Sequence, residues 1–244
     1  MDNKKIIAVW GSPGSGVTTT SIKTARELAK NSNVVLVLTD EVTPSVPLVA
    51  PPSGETKSLG HLLTLPIMKS ISVFQHLIPA GRNLSLLGYQ SEENEITYGE
   101  YKEKRVQDLL SILSGTADYV VIDCYHHLLA NVFTAVALEA AKTVLRVTNA
   151  DPKSLLYLKS QRPYLAEERF HYNRHINIIN NVLPSQPVRT YEDALGGKAY
   201  LLPHLDALKA QFDEVRLLDS LSGREAKQYE PVIRDIVKEV IMVD

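Results

Sequence analysis

Apolar residues in this chain fall into short unbroken runs, separated by longer stretches with a three-to-four-residue rhythm. Residues 6–9, 34–38 and 119–122 carry no charged interruption and are rich in β-branched and aliphatic side chains. Strands that read apolar throughout are buried on both faces, as in a parallel sheet covered by helices. Weaker runs at 84–87, 143–147, 176–179 and 199–202 complete the strand set. Between them, Ile22, Ala25, Leu28 and Ala29 share one helical face, as do Val106, Leu109, Leu110 and Leu113. Further helices are expected over 58–63, 67–77, 132–141 and 224–241. Another opens at Asp151-Pro152, with aspartate as N-cap and proline as first helical residue. Strand alternating with helix predicts an α/β fold: a doubly wound, mostly parallel sheet flanked by helices, spanning 1–244 as one domain.

Two segments break the pattern. Residues 41–58 hold Pro44, Pro47, Pro51 and Pro52 and read as an irregular loop. Residues 90–103 carry Glu92, Glu93, Glu95, Glu100 and Glu103 and read as a solvated acidic face.

Composition narrows the class. A chain of 244 residues, 44% hydrophobic, is long enough to bury one sizeable core. The net charge of −2 gives no bulk basicity for nucleic acid. A single cysteine, Cys124, rules out an internal disulfide framework and fits a reducing compartment. Residues 1–5 lead into too few apolar residues for a signal sequence, and no run reaches the length of a transmembrane helix. The expected location is cytoplasmic, with any membrane proximity supplied by partners.

The chemistry is concentrated in Gly11-Ser12-Pro13-Gly14-Ser15-Gly16-Val17-Thr18-Thr19, between the first strand and the first helix. A strand, a glycine-rich turn and a hydroxyl-rich helix start form the context of a phosphate-binding loop. The glycines let backbone N–H groups turn inward, and the helix N-terminus adds partial positive charge. The spacing fits G-x-x-x-x-G-K-[ST], with Thr18 as the hydroxyl for Mg²⁺, except that Val17 stands where the pattern has lysine. Asp123 ends an apolar strand, as does the carboxylate that holds a Mg²⁺ water shell in such proteins. At the C-terminal edge of a parallel sheet, Thr18 and Asp123 are expected to converge on one ion.

These features, in this order, resemble the MinD/ParA branch of P-loop ATPases. The shared elements are the N-terminal glycine loop, the acid after strand two (Asp40), Tyr119-Val-Val-Ile-Asp123, the stretch from Ala140 to Pro152, and Ile178-Ile-Asn-Asn181. The resemblance covers nearly the whole chain. It implies ATP or ADP with Mg²⁺, a homodimer, and a role in positioning other machinery such as pili, secretion systems or plasmids. It also implies nucleotide contact by Gly11 through Thr19, including Pro13 and Ser15, and adenine contact by Asn180 and Asn181. The catalytic acid of the family falls at Thr39 or Asp40, and Asp40 is the candidate. A CpaE/TadZ-like branch is similar in having an irregular P-loop, although its members can carry a receiver-like domain that is not seen in this sequence.

The departures shape the functional expectation. The family loop reads K-G-G-x-x-G-K-T or close to it; here Ser12 and Val17 replace both lysines. Loss of a charge-assisted contact costs roughly 1.5–3 kcal/mol of binding, and catalysis suffers further because charge develops in the transition state. The expectation is a degenerate nucleotide-binding assembly factor with weak or no hydrolysis. The alternatives are an active ATPase with a substitute cation, or a scaffold that binds no nucleotide. Lys23, Arg82 and Lys153 are the candidate substitutes, and each reads more simply as a solvated surface charge. Cys124, His126 and His127 have poor spacing for a tetrahedral metal site. Residues 162–175, basic and aromatic, offer a nucleic-acid patch, and the last helix a membrane anchor. DNA and membrane contact are both less favoured, because the patch includes acids and the helix charges nearly balance.

Overall fold

The computed structural model describes residues 6–50 and 57–242. The expected irregularity at Pro51 and Pro52, and the reading of residues 1–5, lie outside the described residues. Seven of the expected runs form strands: β1 (Ile6–Gly11), β2 (Val34–Leu38), β4 (Leu84–Gly88), β5 (Tyr119–Asp123), β6 (Thr143–Asn149), β7 (His175–Val182) and β8 (Ala199–Pro203). An additional two-residue strand, β3 (Ile78–Pro79), joins antiparallel to β4 at the sheet edge. The order is β3-β4-β2-β5-β1-β6-β7-β8, and every pairing except β3 with β4 is parallel.

Side chains alternate between two cores because successive residues of a strand point to opposite faces. Ile6, Ala8 and Trp10 enter one core with Val35, Val37, Val120 and Ile122. Ile7 and Val9 enter the other with Val34, Leu36, Leu38 and Val121. The first core is roofed by α2 (Leu59–Thr64), α3 (Ser70–His76), α4 (Glu103–Thr116), α5 (Val132–Ala140) and α6 (Pro152–Leu165). The second is roofed by α1 (Val17–Leu28) and by α9 (Gly223–Ile236), which continues as a π-helical turn over Val237–Ile241. Tyr229, Ile233, Ile236, Val237 and Ile241 are buried there, so the apolar side of the last helix is spent on the sheet. Among the described residues, no helix is long and apolar enough to cross a membrane.

Two helices fall where none was expected: α7 (Val188–Leu195) and α8 (Asp206–Asp213). The acidic segment is also more than a solvated face. Glu93 accepts hydrogen bonds from Ser58 (2.7 Å), the Gln90 backbone N–H (2.7 Å) and Tyr98 (2.6 Å), tying the start of α2 to the loop after β4.

Candidate functional site

The glycine-rich turn sits at the C-terminal end of β1, the fourth strand in from the β8 edge, between β5 and β6. Its first glycine is fixed by packing: a Cβ on Gly11 would lie 1.9 Å from the Val147 carbonyl oxygen of the neighbouring strand. The Ser12 N–H continues that pairing to Val147 (3.1 Å). Ser15 closes the turn, its N–H and hydroxyl both reaching the Ser12 carbonyl, at 3.1 and 2.7 Å. Gly14 and Gly16 then adopt φ of +72° and +84°, a region that side chains penalise. Nothing lies within 4 Å of a Cβ placed on Gly14, so this part of the turn is open.

No side chain caps α1. The N–H groups of its first turn have no intrahelical acceptor, which makes this terminus a ready anion site. The Ser12 hydroxyl is buried without a hydrogen-bond partner. Val17, in the lysine position, is half-buried and packs against the α1/α9 core.

Thr18 and Asp123 converge as expected. The Thr18 hydroxyl donates to one Asp123 carboxylate oxygen (2.9 Å), and Ser21, one turn further along α1, donates to the other (3.0 Å). Asp123 is only 3% exposed. Burial pushes its carboxyl up to about 7, against the lowering effect of the two hydroxyls, and the nearby Asp40 charge adds to the rise. Ser21 is a site residue that sequence reasoning missed. The signal was available, since it lies three residues after Thr18 and so on the same helical face.

The register beside Asp123 is now fixed. Leu38 pairs with Asp123, and the Thr39 hydroxyl donates to the Asp123 carbonyl (2.8 Å) while accepting from the Tyr125 N–H (3.2 Å). Thr39 is therefore consumed in holding two strand ends together. Asp40 is half-buried and accepts from the backbone N–H groups of Val42 (3.0 Å) and Thr43 (2.8 Å), a turn of its own. Burial raises its carboxyl, with those two bonds and the neighbouring His126 opposing the rise.

Beside the turn lies a cavity of about 520 Å³, lined by Gly14, Gly16 and Thr19 on one side. Asn180 and Asn181 line it at the end of β7, and Leu205, Leu208 and Phe212 form a wall from α8 and the residue before it. The Asn180 amide donates to the Ser15 carbonyl (2.7 Å) and lies against Gly16, so it braces the turn as well as lining the cavity. Asn181 takes a φ of +54° and donates to Asn149 (2.9 Å). The volume is within the range of about 300–1,000 Å³ typical of small-molecule sites.

None of the three candidate cations lines this cavity. Lys23 is 5% exposed, and its ammonium donates to Gln211 (2.6 Å) and to the Leu217 and Asp219 carbonyls (2.7 and 2.9 Å). It is thus neither a substitute for Val17 nor a surface charge, which corrects the sequence reading. Burial, with the Arg26 charge second, lowers it to about 8. Arg82 precedes β4, at the sheet edge opposite the turn, and is exposed. Lys153 is exposed at the start of α6. The lysine that does line the cavity is Lys209 of α8, which pairs with Asp213 at 2.5 Å.

The loop after β5 is held by its backbone. The His126 carbonyl accepts from the Trp10 indole (3.0 Å) and from the Tyr157 hydroxyl. Cys124 is buried, and burial raises its thiol well above the ordinary range. Among the described residues, no group of three His, Cys, Asp or Glu side chains is placed to hold a metal ion. A phosphate-bound Mg²⁺ needs no such group, because it keeps several waters and takes one or two protein ligands plus phosphate oxygens.

No protein-family model and no curated protein matches the chain. Solved structures do. A ParA family ATPase from Chlorobium tepidum superimposes with a TM-score of 0.77 at 15% identity, over 97% of this chain and 99% of that one. A septum site-determining protein MinD from Pyrococcus horikoshii, complexed with Mg-ADP, gives 0.75 at 16% identity over 96% of both chains. A plasmid partition protein from Borrelia burgdorferi, bound to AMPPNP, gives 0.71 at 19% identity, over 97% and 99%. The chain has the fold of the ParA/MinD P-loop ATPases.

Proposed function

We propose that this chain is a ParA/MinD-type protein that binds an adenine nucleotide with Mg²⁺ and acts as a positioning or assembly factor, with little or no hydrolysis. The reading is carried by one juxtaposition. The open, uncapped turn over Gly14–Gly16 runs directly into the Thr18–Ser21–Asp123 cluster through Thr18, while positions 12 and 17 carry no cation. The residues present fit the group. Backbone N–H groups of the turn and α1 would hold phosphate oxygens, Thr18 would ligand Mg²⁺, and Asp123 would orient its waters. The α8 wall and Asn181 would take the base. Bound Mg²⁺ supplies charge neutralisation at the β- and γ-phosphates.

This chain's own residues leave that neutralisation incomplete. Main-chain dipoles and one metal ion can bind a triphosphate, but a valine cannot follow the charge that grows on a transferring phosphoryl group. Relatives in fold include nucleotide-bound ATPases and a MinC:MinD complex. By that analogy the chain docks protein partners, and the resemblance of its motifs to the MinD/ParA branch adds that it does so as a homodimer.

Calorimetry with ATP and Mg²⁺, paired with steady-state turnover, tests the reading. Saturable binding with negligible turnover is expected, and binding weakened by Thr18→Ala and Asp123→Ala. No binding would leave a nucleotide-free scaffold. Robust turnover abolished by both changes would overturn the degenerate reading. Lys209, the lysine on the cavity wall, is the residue that an active enzyme would recruit, so loss of that turnover in Lys209→Met would identify it.

A further inference from the structure

On the face of the sheet opposite α1, a cavity of about 460 Å³ opens between α6, α7 and β6. Its floor is Arg146, a mid-strand residue on the same face as Val144 and only 5% exposed. Burying a guanidinium costs several kcal/mol unless a counter-charge is supplied. Here the acceptors are all neutral. Asn177 Oδ1 accepts from Nε (3.1 Å) and from Nη2, the Tyr172 hydroxyl from Nη1, and the Leu195 carbonyl from Nη2 (3.5 Å). The Tyr172 ring adds a cation–π contact at 4.7 Å. These partners orient the fork without cancelling its charge.

The cavity beside it makes the imbalance larger. Lys159 and Arg162 line it from α6, three residues apart on one helical face, both exposed and neither in an ion pair among the described residues. Asp193 at the end of α7 is the single carboxylate in the lining, so three cations face one anion. Like charges gathered around a concave, part-apolar pocket with a buried arginine at its base are what an anion would neutralise.

We propose that this cavity binds a small molecule through a phosphate or carboxylate group, with Arg146 as the buried anchor and Lys159 and Arg162 as the rim. The volume suits a metabolite-sized ligand. A nucleic-acid backbone is disfavoured, since a duplex phosphate needs a raised cation and Arg146 is recessed. The proposal rests on nothing at the glycine-rich turn and stands whether or not nucleotide binds there.

The test is an NMR titration of the arginine Nε–H signals of the full chain with inorganic phosphate and, separately, with citrate. Each is run against chloride at equal ionic strength. The Arg146 signal should shift saturably, and the tighter probe identifies the preferred head group. Lys159→Gln/Arg162→Gln alters two exposed positions and leaves the fold intact. It should weaken binding about tenfold or more. Backbone signals of Gly14–Thr18 report any phosphate in the other site, which separates the two proposals. Arg146 shifts equal to those in chloride would overturn the inference. So would unchanged affinity in the double variant, or a response to short duplex DNA but not to either small anion.

Discussion

Thr18 and Asp123 meet across 2.9 Å, joining the first turn of α1 to the end of β5 from positions 105 apart in sequence. The contact is structural before it is functional. It partners one oxygen of a carboxylate that solvent scarcely reaches, and Ser21 partners the other. Replacing Thr18 by valine keeps the shape and removes the donor. We expect a loss of about 1–3 kcal/mol in urea unfolding at pH 8, the cost of an unsatisfied buried group. Thr18→Ser should recover most of it. Equal stability of the valine variant and the wild type would mean that water replaces the hydroxyl.

Asp123 also gives stability a pH dependence with a definite sign. Its folded carboxyl titrates near 7, above the ordinary aspartate value of 3.8. The folded state therefore binds the proton more tightly than the unfolded chain. The contribution is fully present below pH 3.8 and is lost as pH rises through about 7. The slope approaches about 1.4 kcal/mol per pH unit between those limits. Asp123→Asn should flatten that stretch of the stability-against-pH curve. Binding of Mg²⁺ with nucleotide at pH 6.5 should release a proton, read as a dependence of calorimetric heat on buffer ionisation. The same variant should abolish that release.

The sheet was readable because the runs at 6–9, 34–38 and 119–122 are unbroken, which few arrangements other than a two-sided parallel sheet accommodate. Thr18 and Asp123 were readable because motif spacing and strand polarity bring them to one edge. What escaped notice shares a physical cause. The β3 strand has two residues, too few for a period, and α7 spans only eight, so Val188, Tyr191 and Leu195 give barely two turns of pattern, and none of them is buried. The α8 wall of the cavity is contributed by residues that are half-exposed, such as Leu208 and Phe212. Lys23 and Glu93 look like surface charges because a sequence does not display the carbonyls and hydroxyls that long-range packing brings to them.

Val17→Lys tests the missing charge directly. The wild-type side chain packs its methyls on the α1/α9 core at the helix start, and a lysine stem can cover the same surface while its ammonium reaches solvent. Affinity for ATP should tighten by about 1.5–3 kcal/mol, roughly ten- to a hundredfold. Unchanged affinity would mean that the loop geometry, and not only its charge, has drifted from a triphosphate cradle.

The two ends of the turn should respond differently to an added methyl group. Gly11→Ala drives a Cβ into the Val147 carbonyl at 1.9 Å, backbone against backbone. Strand separation is the only relief, and a loss of about 3 kcal/mol or more is expected. Gly14→Ala meets no atom within 4 Å and bears only the left-handed backbone penalty of about 1–2 kcal/mol. Thermal unfolding of the pair ranks them, and the reverse order would show that the turn is not seated on β6 as described.

Lys23 ties α1 to the segment that follows α8, because its one buried ammonium donates to three acceptors, of which the Asp219 carbonyl is shared with Arg26 and Gln211. Gln211 lies on α8, while Leu217 and Asp219 lie on the segment leading into α9. Lys23→Met retains the stem and removes the donor from Gln211 and the Leu217 carbonyl, with an expected loss of about 3 kcal/mol, since hydrogen bonds to a charged group are each worth roughly 1.5–3. The lysine value of about 8 sets the pH window: its folded-state value lies below the ordinary 10.5, so its contribution weakens as pH falls from about 10.5 to 8 and is then constant. Hydrogen exchange should accelerate over 206–221 in the variant, while the Thr18–Asp123 region keeps its protection. Because α8 walls the cavity beside the glycine-rich turn, nucleotide affinity should fall through loss of that wall. If exchange instead quickens first around α1's N-terminus, Lys23 acts on the turn itself and its anchoring role is wrong.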